Sequence, residues 1–179
     1  LFIPPSHFDD PAHTDRAVSA VTAALGLATD LAALTQGDPV VCTTLPERMG
    51  PWAQTIVAEA ERVGARVANC AWPPTEAAEP GPIGIGIDPA AALAAGADPG
   101  AAVARAGASL VAVRASDWNG VMRVPVGRGR LDELAFRVAV AVSGFSGHVT
   151  VDPRGLPDPR AGAAGAAARW GDRTNTAPP

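Results

Sequence analysis

Three acidic residues and one arginine stand where short apolar runs end. Asp88 follows Ile83-Gly84-Ile85-Gly86-Ile87, Arg114 and Asp117 follow Leu110-Val111-Ala112-Val113, and Asp152 follows Val149-Thr150-Val151. Acids at successive strand ends are how a barrel enzyme assembles a site at one rim. Two carboxylates brought together can hold a divalent cation and move a proton as general acid and base. The arginine changes that chemistry. A guanidinium is a permanent cation and never a metal ligand, so Arg114 either pairs with the acids or holds an anionic substrate. Asp152 is placed to pair with Arg114 across neighbouring strand ends.

Other residues join this set on weaker signals. Arg123 opens the run Arg123-Val124-Pro125-Val126-Gly127-Arg128-Gly129-Arg130-Leu131-Asp132, whose arginines suit a phosphate or carboxylate and whose glycines allow close backbone approach. Trp72 ends a strand and can cover a sugar face, although a tryptophan there equally suits rim packing. His7 follows a rim-facing strand exit, whereas His148 precedes its strand and falls at the opposite end. Each acid also has a plain structural role open to it. Asp88 before Pro89 suits a loop cap, and Asp117 lies in the turn-forming Ser-Asp-Trp-Asn-Gly.

The elements that must position these residues follow from periodicity. Leu1 to Pro4 reads as a strand end. His13 to Leu34 reads as a long helix, capped by Thr14, with Val18, Val21, Leu25, Ala28 and Leu31 on one buried face. Val40 to Leu45 is a strand, and Pro51 to Val63 is a helix closed by Gly64. Arg66 to Trp72 is a strand, followed by a polar, Pro-rich loop from Pro73 to Pro82. Ile83 to Ile87 is a strand, Asp98-Pro99 opens a short helix, and Leu110 to Val113 is a strand. Leu131 to Val142 is a helix and His148 to Val151 the last strand. Six strands alternate with helices, the pattern of a parallel α/β domain. The strands are short and continuously apolar, as when both faces are covered. Residues 1–157 form this domain. Residues 158–179 are an Ala-, Gly- and Pro-rich tail with a short helix near Ala161 to Trp170, and Thr174 to Pro179 read as disordered.

Composition narrows the classes. The 179 residues carry a net charge of −4, and all 14 basic residues are arginine, spread along the chain. That balance disfavours nucleic acid as a partner. No run of 18 or so uninterrupted apolar residues marks a membrane span and no signal peptide is visible, so the cytoplasm is the expected compartment. Cys42 and Cys70 are too few for a disulfide framework and fall in strands, where free cysteines behave as small buried hydrophobes. Gly84-Ile85-Gly86 lacks the final glycine and helix start of a dinucleotide loop. The length is short for a complete (β/α)8 barrel of about 250 residues. With the apolar entry Leu1-Phe2-Ile3, the chain reads as one cut inside a larger fold, with exposed sheet edges that favour a homo-oligomer or a missing N-terminal segment.

Three segments in order, Asp88-Pro89 with Gly96-Ala97-Asp98-Pro99, Pro125-Val126-Gly127-Arg128-Gly129 with Asp132, and Gly144-Phe145-Ser146-Gly147 with Val151-Asp152, resemble the xylose-isomerase-like TIM barrels of the sugar phosphate isomerase/epimerase family. The resemblance implies a partial (β/α)8 TIM barrel whose parallel strands correspond to the third to eighth. It implies a small sugar or sugar phosphate as ligand, isomerised or epimerised by proton transfer through an enediolate. It implies a divalent cation (Mn, Mg or Zn) held by Asp88 and Asp152, which would also be the catalytic acids, with Arg114, Asp117, Arg123, Trp72 and His7 around the substrate. The family's remaining positions differ here. Its histidine ligand falls on Arg114, its first glutamate on Cys70 or Asn69, and a substrate-contacting histidine on Ala91. The alternative is a non-catalytic relative that binds a small anionic ligand or a protein partner at the same rim. DNA-repair endonucleases of this superfamily, with their His-rich metal clusters, fit poorly with three histidines and an acidic balance.

Overall fold

The computed structural model describes residues 1–74 and 81–171. Its elements run α1 (Ser6–Asp9), α2 (Thr14–Thr35), β1 (Val40–Thr43), α3 (Trp52–Val63), β2 (Arg66–Asn69), β3 (Ile83–Ile87), α4 (Pro89–Ala94), α5 (Pro99–Ala106), β4 (Leu110–Ala115), β5 (Asp117–Trp118), β6 (Arg123–Val124), α6 (Glu133–Val142), β7 (Val149–Val151) and α7 (Pro159–Gly171). Strands β1, β2, β3, β4 and β7 pair in that order, all parallel, as a curled half-barrel sheet. The α/β, partial-barrel expectation holds. Strands β5 and β6 form a separate antiparallel hairpin above the sheet.

Helix ends follow the local chemistry. Gly64 closes α3 with a positive φ of 67°. The side chains of Asp98 and Asp132 cap α5 and α6 by accepting from Gly100 N and Ala135 N. Thr14 is not the cap expected for α2. Its hydroxyl points back and donates to the Phe8 and Asp10 carbonyls at 3.1 and 2.8 Å. Leu31 leaves the buried face as well and is 53% exposed. Helix α2 is about 33 Å long by its rise per residue, whereas the four residues of β1 cover roughly 13 Å. The last turns of the helix therefore overhang the sheet. By length and composition α2 is apolar enough to cross a membrane, but Ala17, Val21 and Leu25 pack in the core against Ile56 and Ala60 of α3.

Three further expectations change. Leu1 to Pro4 is not a strand; the Leu1 amino group donates to the Cys42 carbonyl of β1 at 2.9 Å. Strand β2 stops at Asn69, because the Asn69 side chain turns the chain there by accepting from Leu45 N and Ala71 N. Five strands, not six, form the sheet among the described residues. The expected terminal helix is α7, which packs Ala166 and Trp170 over Ala115, Val149 and Val151 on the outer face of β4 and β7. Thr174 to Pro179 lie outside the described residues.

The outer face of the sheet carries the core. Val41 and Val67 pack under α2 and α3, and Ile85, Ile87, Leu110 and Val113 under α5 and α6. The inner face carries mostly small side chains, Ala68, Cys70, Gly84, Gly86 and Ala112, with Val40 and Val111 packed among them. Barrel width grows with strand number, so a five-stranded curl leaves room for little more. A Cβ on Gly86 would collide with the Cys70 sulfur. The curl also brings the sheet's margins together. The His148 ring, just before β7, lies beside Gly37, just before β1, and Arg154 beyond β7 covers the Phe2 ring at 5.4 Å.

Candidate functional site: an arginine–aspartate rim

All five strands run the same way, so their C-terminal ends meet at one rim. Register then fixes the neighbours. Gly86 pairs with Ala112 and Arg114 with Thr150, so Asp88, Arg114 and Asp152 rise on one face of three adjacent strands. Arg114 Nη1 lies 3.3 Å from Asp88 Oδ2 and 3.4 Å from Asp152 Oδ2. The three side chains are buried, at 6%, 3% and 6% exposure. The pairing of Asp152 with Arg114 read from the sequence is present.

Two more arginines complete the cluster. Arg123, delivered by the β5–β6 hairpin, pairs with Asp88 through Nη2 and stands 3.6 Å from Asp152 through Nη1. Arg154 grips Asp152 with both prongs, Nε at 2.7 Å and Nη2 at 2.5 Å. Ser116, just past β4, donates to Asp88 Oδ1 at 2.6 Å and accepts from Ala90 N at 3.0 Å. Asp88 therefore does not cap α4; Ser116 bonds an amide of its first turn instead, and the carboxylate faces the arginines. Three guanidiniums against two carboxylates leave one positive charge at the rim. Above them opens a cleft of about 600 Å³ lined by Phe2, Thr44, Cys70, Trp72, Asp88, Ala91, Arg114, Arg123, Arg154 and Gly155.

Burial works against ionisation of both aspartates, and the arginines prevail. For Asp152 the Arg154 hydrogen bond, then the Arg114 charge, bring the carboxyl down to about 2. For Asp88 the Arg123 hydrogen bond and charge, then Ser116 and Arg114, hold it below the usual carboxylate range. A folded-state pKa depressed below the unfolded value adds stability above the unfolded value and loses it as pH falls through the folded one. Stability is therefore expected to fall between about pH 4, the ordinary aspartate value, and pH 2. Urea midpoints taken across that window check this, and a flat profile would show the aspartates to be unpaired.

The other sequence candidates separate. Trp72 lines the cleft. Asp117 does not. Its carboxylate, fully buried, accepts from four backbone amides, Trp118 N at 2.8 Å, Gly127 N at 3.1 Å, Gly129 N at 2.9 Å and Leu131 N at 3.0 Å. It is the post around which the arginine loop winds, and its strand pairs with the one that carries Arg123. A Cβ on Gly129 would collide with Asp117 Oδ1. His7 lies in α1, stacked on His13 with ring centroids 4.6 Å apart, and is not among the lining residues. The Arg130 guanidinium lies against Gly120. Sequence reading singles out neither Ser116 nor Arg154. The signal for Arg154 was the spacing Asp-Pro-Arg, in which a proline fixes the turn that folds an arginine back onto its acid.

Solved structures of similar shape bear on this arrangement. A xylose isomerase domain protein from Planctomyces limnophilus superposes with a TM-score of 0.64 at 18% identity, over 90% of this chain and 66% of that one. The fold is that of a xylose isomerase-like TIM barrel. A xylose isomerase-like TIM barrel/4-hydroxyphenylpyruvate dioxygenase fusion protein superposes at 0.51 with 17% identity, over 95% of this chain and 34% of the other. The chain thus spans about two thirds of the first relative's length and one third of the second's. No family model and no curated protein matches the sequence.

The divalent cation implied by that resemblance does not suit the donors present. A cation site in such a barrel wants several oxygen ligands and an imidazole. Here Asp88 and Asp152 already share Arg114 and Arg123, and Asp152 holds Arg154 as well. Among the described residues no three His, Cys, Asp or Glu side chains converge. A divalent cation placed among these guanidiniums would meet charge repulsion.

Proposed function

We propose that this chain uses a xylose isomerase-like rim to bind a small anionic polyhydroxy compound, a sugar phosphate or sugar acid, without metal-assisted proton transfer. The observation that carries the reading is the cluster's charge, three arginines to two aspartates under an open cleft. Arg123 is 25% and Arg154 44% exposed. Both can turn to a phosphate or carboxylate, for which a guanidinium fork is well shaped. Trp72 and Phe2 offer apolar walls for a sugar face, and Thr44 a hydroxyl.

Isomerisation or epimerisation has less support at these residues. Enediolate chemistry needs a base with a pKa near the working pH. Asp152, held near 2, is a feeble base for a carbon-bound proton. The second proton-transfer acid of the family pattern falls on Cys70 or Asn69, and among the described residues Asp88 is the one carboxylate that lines the cleft.

Thermal shift and calorimetry with inorganic phosphate, glucose 6-phosphate, gluconate and glucose test the proposal. The anionic ligands are expected to bind and glucose to fail. At a hundredfold excess over Kd the gain is about 2.7 kcal/mol, or roughly 5–10 °C in Tm for a chain of this size. Arg123→Gln, at a partly exposed position, is expected to abolish the shift without unfolding the protein. Indifference to all four ligands would overturn the proposal, as would Mn-dependent interconversion of an aldose and a ketose phosphate.

A further inference from the structure

Helix α2 leaves much of its apolar surface uncovered. Only 22% of its most apolar 18-residue stretch is buried. Ala17, Val21 and Leu25 supply the buried side, and Thr29 marks the flank toward α3 by donating to the Val63 carbonyl at 3.3 Å. The flank turned away from α3 carries Arg16, Ala20, Ala23, Leu27, Leu31 and Leu34, at steps of three and four residues. Leu27, Leu31 and Leu34 are 59%, 53% and 82% exposed. This stripe is graded along the helix, with alanines in its N-terminal half and leucines in its C-terminal half. Asp15 and Asp30 lie on its solvent side.

The two ends of the stripe carry opposite charge. Arg16 is exposed in the first turn. The other end has the unpaired carbonyls of a helix C-terminus, no basic residue in its last turn, and the exposed Asp38 just past the left-handed Gln36. Among the described residues neither Arg16 nor Asp38 has an ion-pair partner.

We propose that α2 is a dimerisation helix, packed antiparallel on α2 of a second copy of this chain about a two-fold through Leu27. The spacing fixes the register. With Leu27 on the axis, Leu31 falls on the partner's Ala23 and Leu34 on the partner's Ala20. Large side chains meet small ones, so the helix axes can approach to about 8 Å. Arg16 then reaches the partner's helix C-terminus, where the carbonyls and the partner's Asp38 favour a cation. One surface thus complements itself, as an isologous interface requires. An anionic membrane suits this face less well, because Asp15 and Asp30 border it and the chain's net charge is −4.

Sedimentation velocity of the whole chain, from about 5 to 500 µM, tests the arrangement. One helix pair is smaller than a standard interface, so a dissociation constant of about 1 µM or weaker is expected. Leu27→Glu sets two carboxylates together on the axis. Its position is exposed, so it is expected to give a monomer that still melts cooperatively. Leu134→Glu, on the exposed face of α6, should leave the dimer intact. Arg16→Asp and Asp38→Arg are each expected to weaken the dimer about two- to thirtyfold, since each exposed pair occurs twice. The double variant should recover most of that loss. Within one chain the two residues stand at opposite ends of a helix about 33 Å long, so recovery can arise only between copies. A native chain monomeric over the whole range would overturn the proposal, as would a dimer that survives Leu27→Glu or a charge swap without recovery. Flotation of a monomeric native chain with phosphatidylcholine–phosphatidylglycerol vesicles, abolished by Leu27→Glu, would overturn it by giving the face to a membrane.

Discussion

Arg114→Met is expected to cost about 3–5 kcal/mol of stability, the usual penalty for removing one partner of a buried ion pair. The reason is the two carboxylates that remain. Asp88 and Asp152, at 3% and 6% exposure, would lose the cation they share and face each other across one strand. Arg123 and Arg154 approach from the solvent side, at 25% and 44% exposure, and cannot fill the space beneath. Urea denaturation measures the loss, which corresponds to a Tm lower by on the order of 10 °C for a chain this size. The control is Asp88→Asn/Arg114→Met/Asp152→Asn, which removes all three charges and should recover most of the loss. A penalty below about 1 kcal/mol, the value of a solvated surface pair, would mean that water reaches the cluster.

Asp117→Ala is expected to destabilise the chain by about 2–3 kcal/mol, one or two unsatisfied groups' worth after the loop relaxes, and to loosen residues 118–131 selectively. Four amides lose their only acceptor, and with it the turn that holds Gly127, at φ +80°, and Gly129 close to the carboxylate. Asp117→Asn should show a smaller loss, because one oxygen still accepts while the new amide group opposes two donors. Hydrogen exchange reads the effect residue by residue. The amides of Gly127, Gly129 and Leu131 should lose protection in the variant while those of β3 and β4 keep theirs. Arg123 sits between Asp117 and Asp132 in this loop, so anion binding should weaken with it. Unchanged protection at Gly127 and Gly129 would show that the loop is held by something else.

Local sequence alone determined the alternation of strand and helix, because apolar runs, Asp-Pro starts and Gly64 act within a few residues of themselves. It also determined that Asp88, Arg114 and Asp152 share a rim, since a parallel sheet must collect its strand ends on one side. Tertiary structure decided what those residues do there. The bonds of Arg114 to Asp88 and Asp152 depend on register between strands dozens of residues apart, and no local signal encodes that. Asp117 looked like one more rim acid, but the loop from Gly127 to Leu131 wraps its carboxylate, and a turn-rich sequence does not say where its amides will point. Cys42 and Cys70 read as two small hydrophobes. Only the register of β1 against β2 puts both on one inward row. Leu31 was lost for a similar reason, since periodicity fixes a helix face but not how far the sheet beneath it extends.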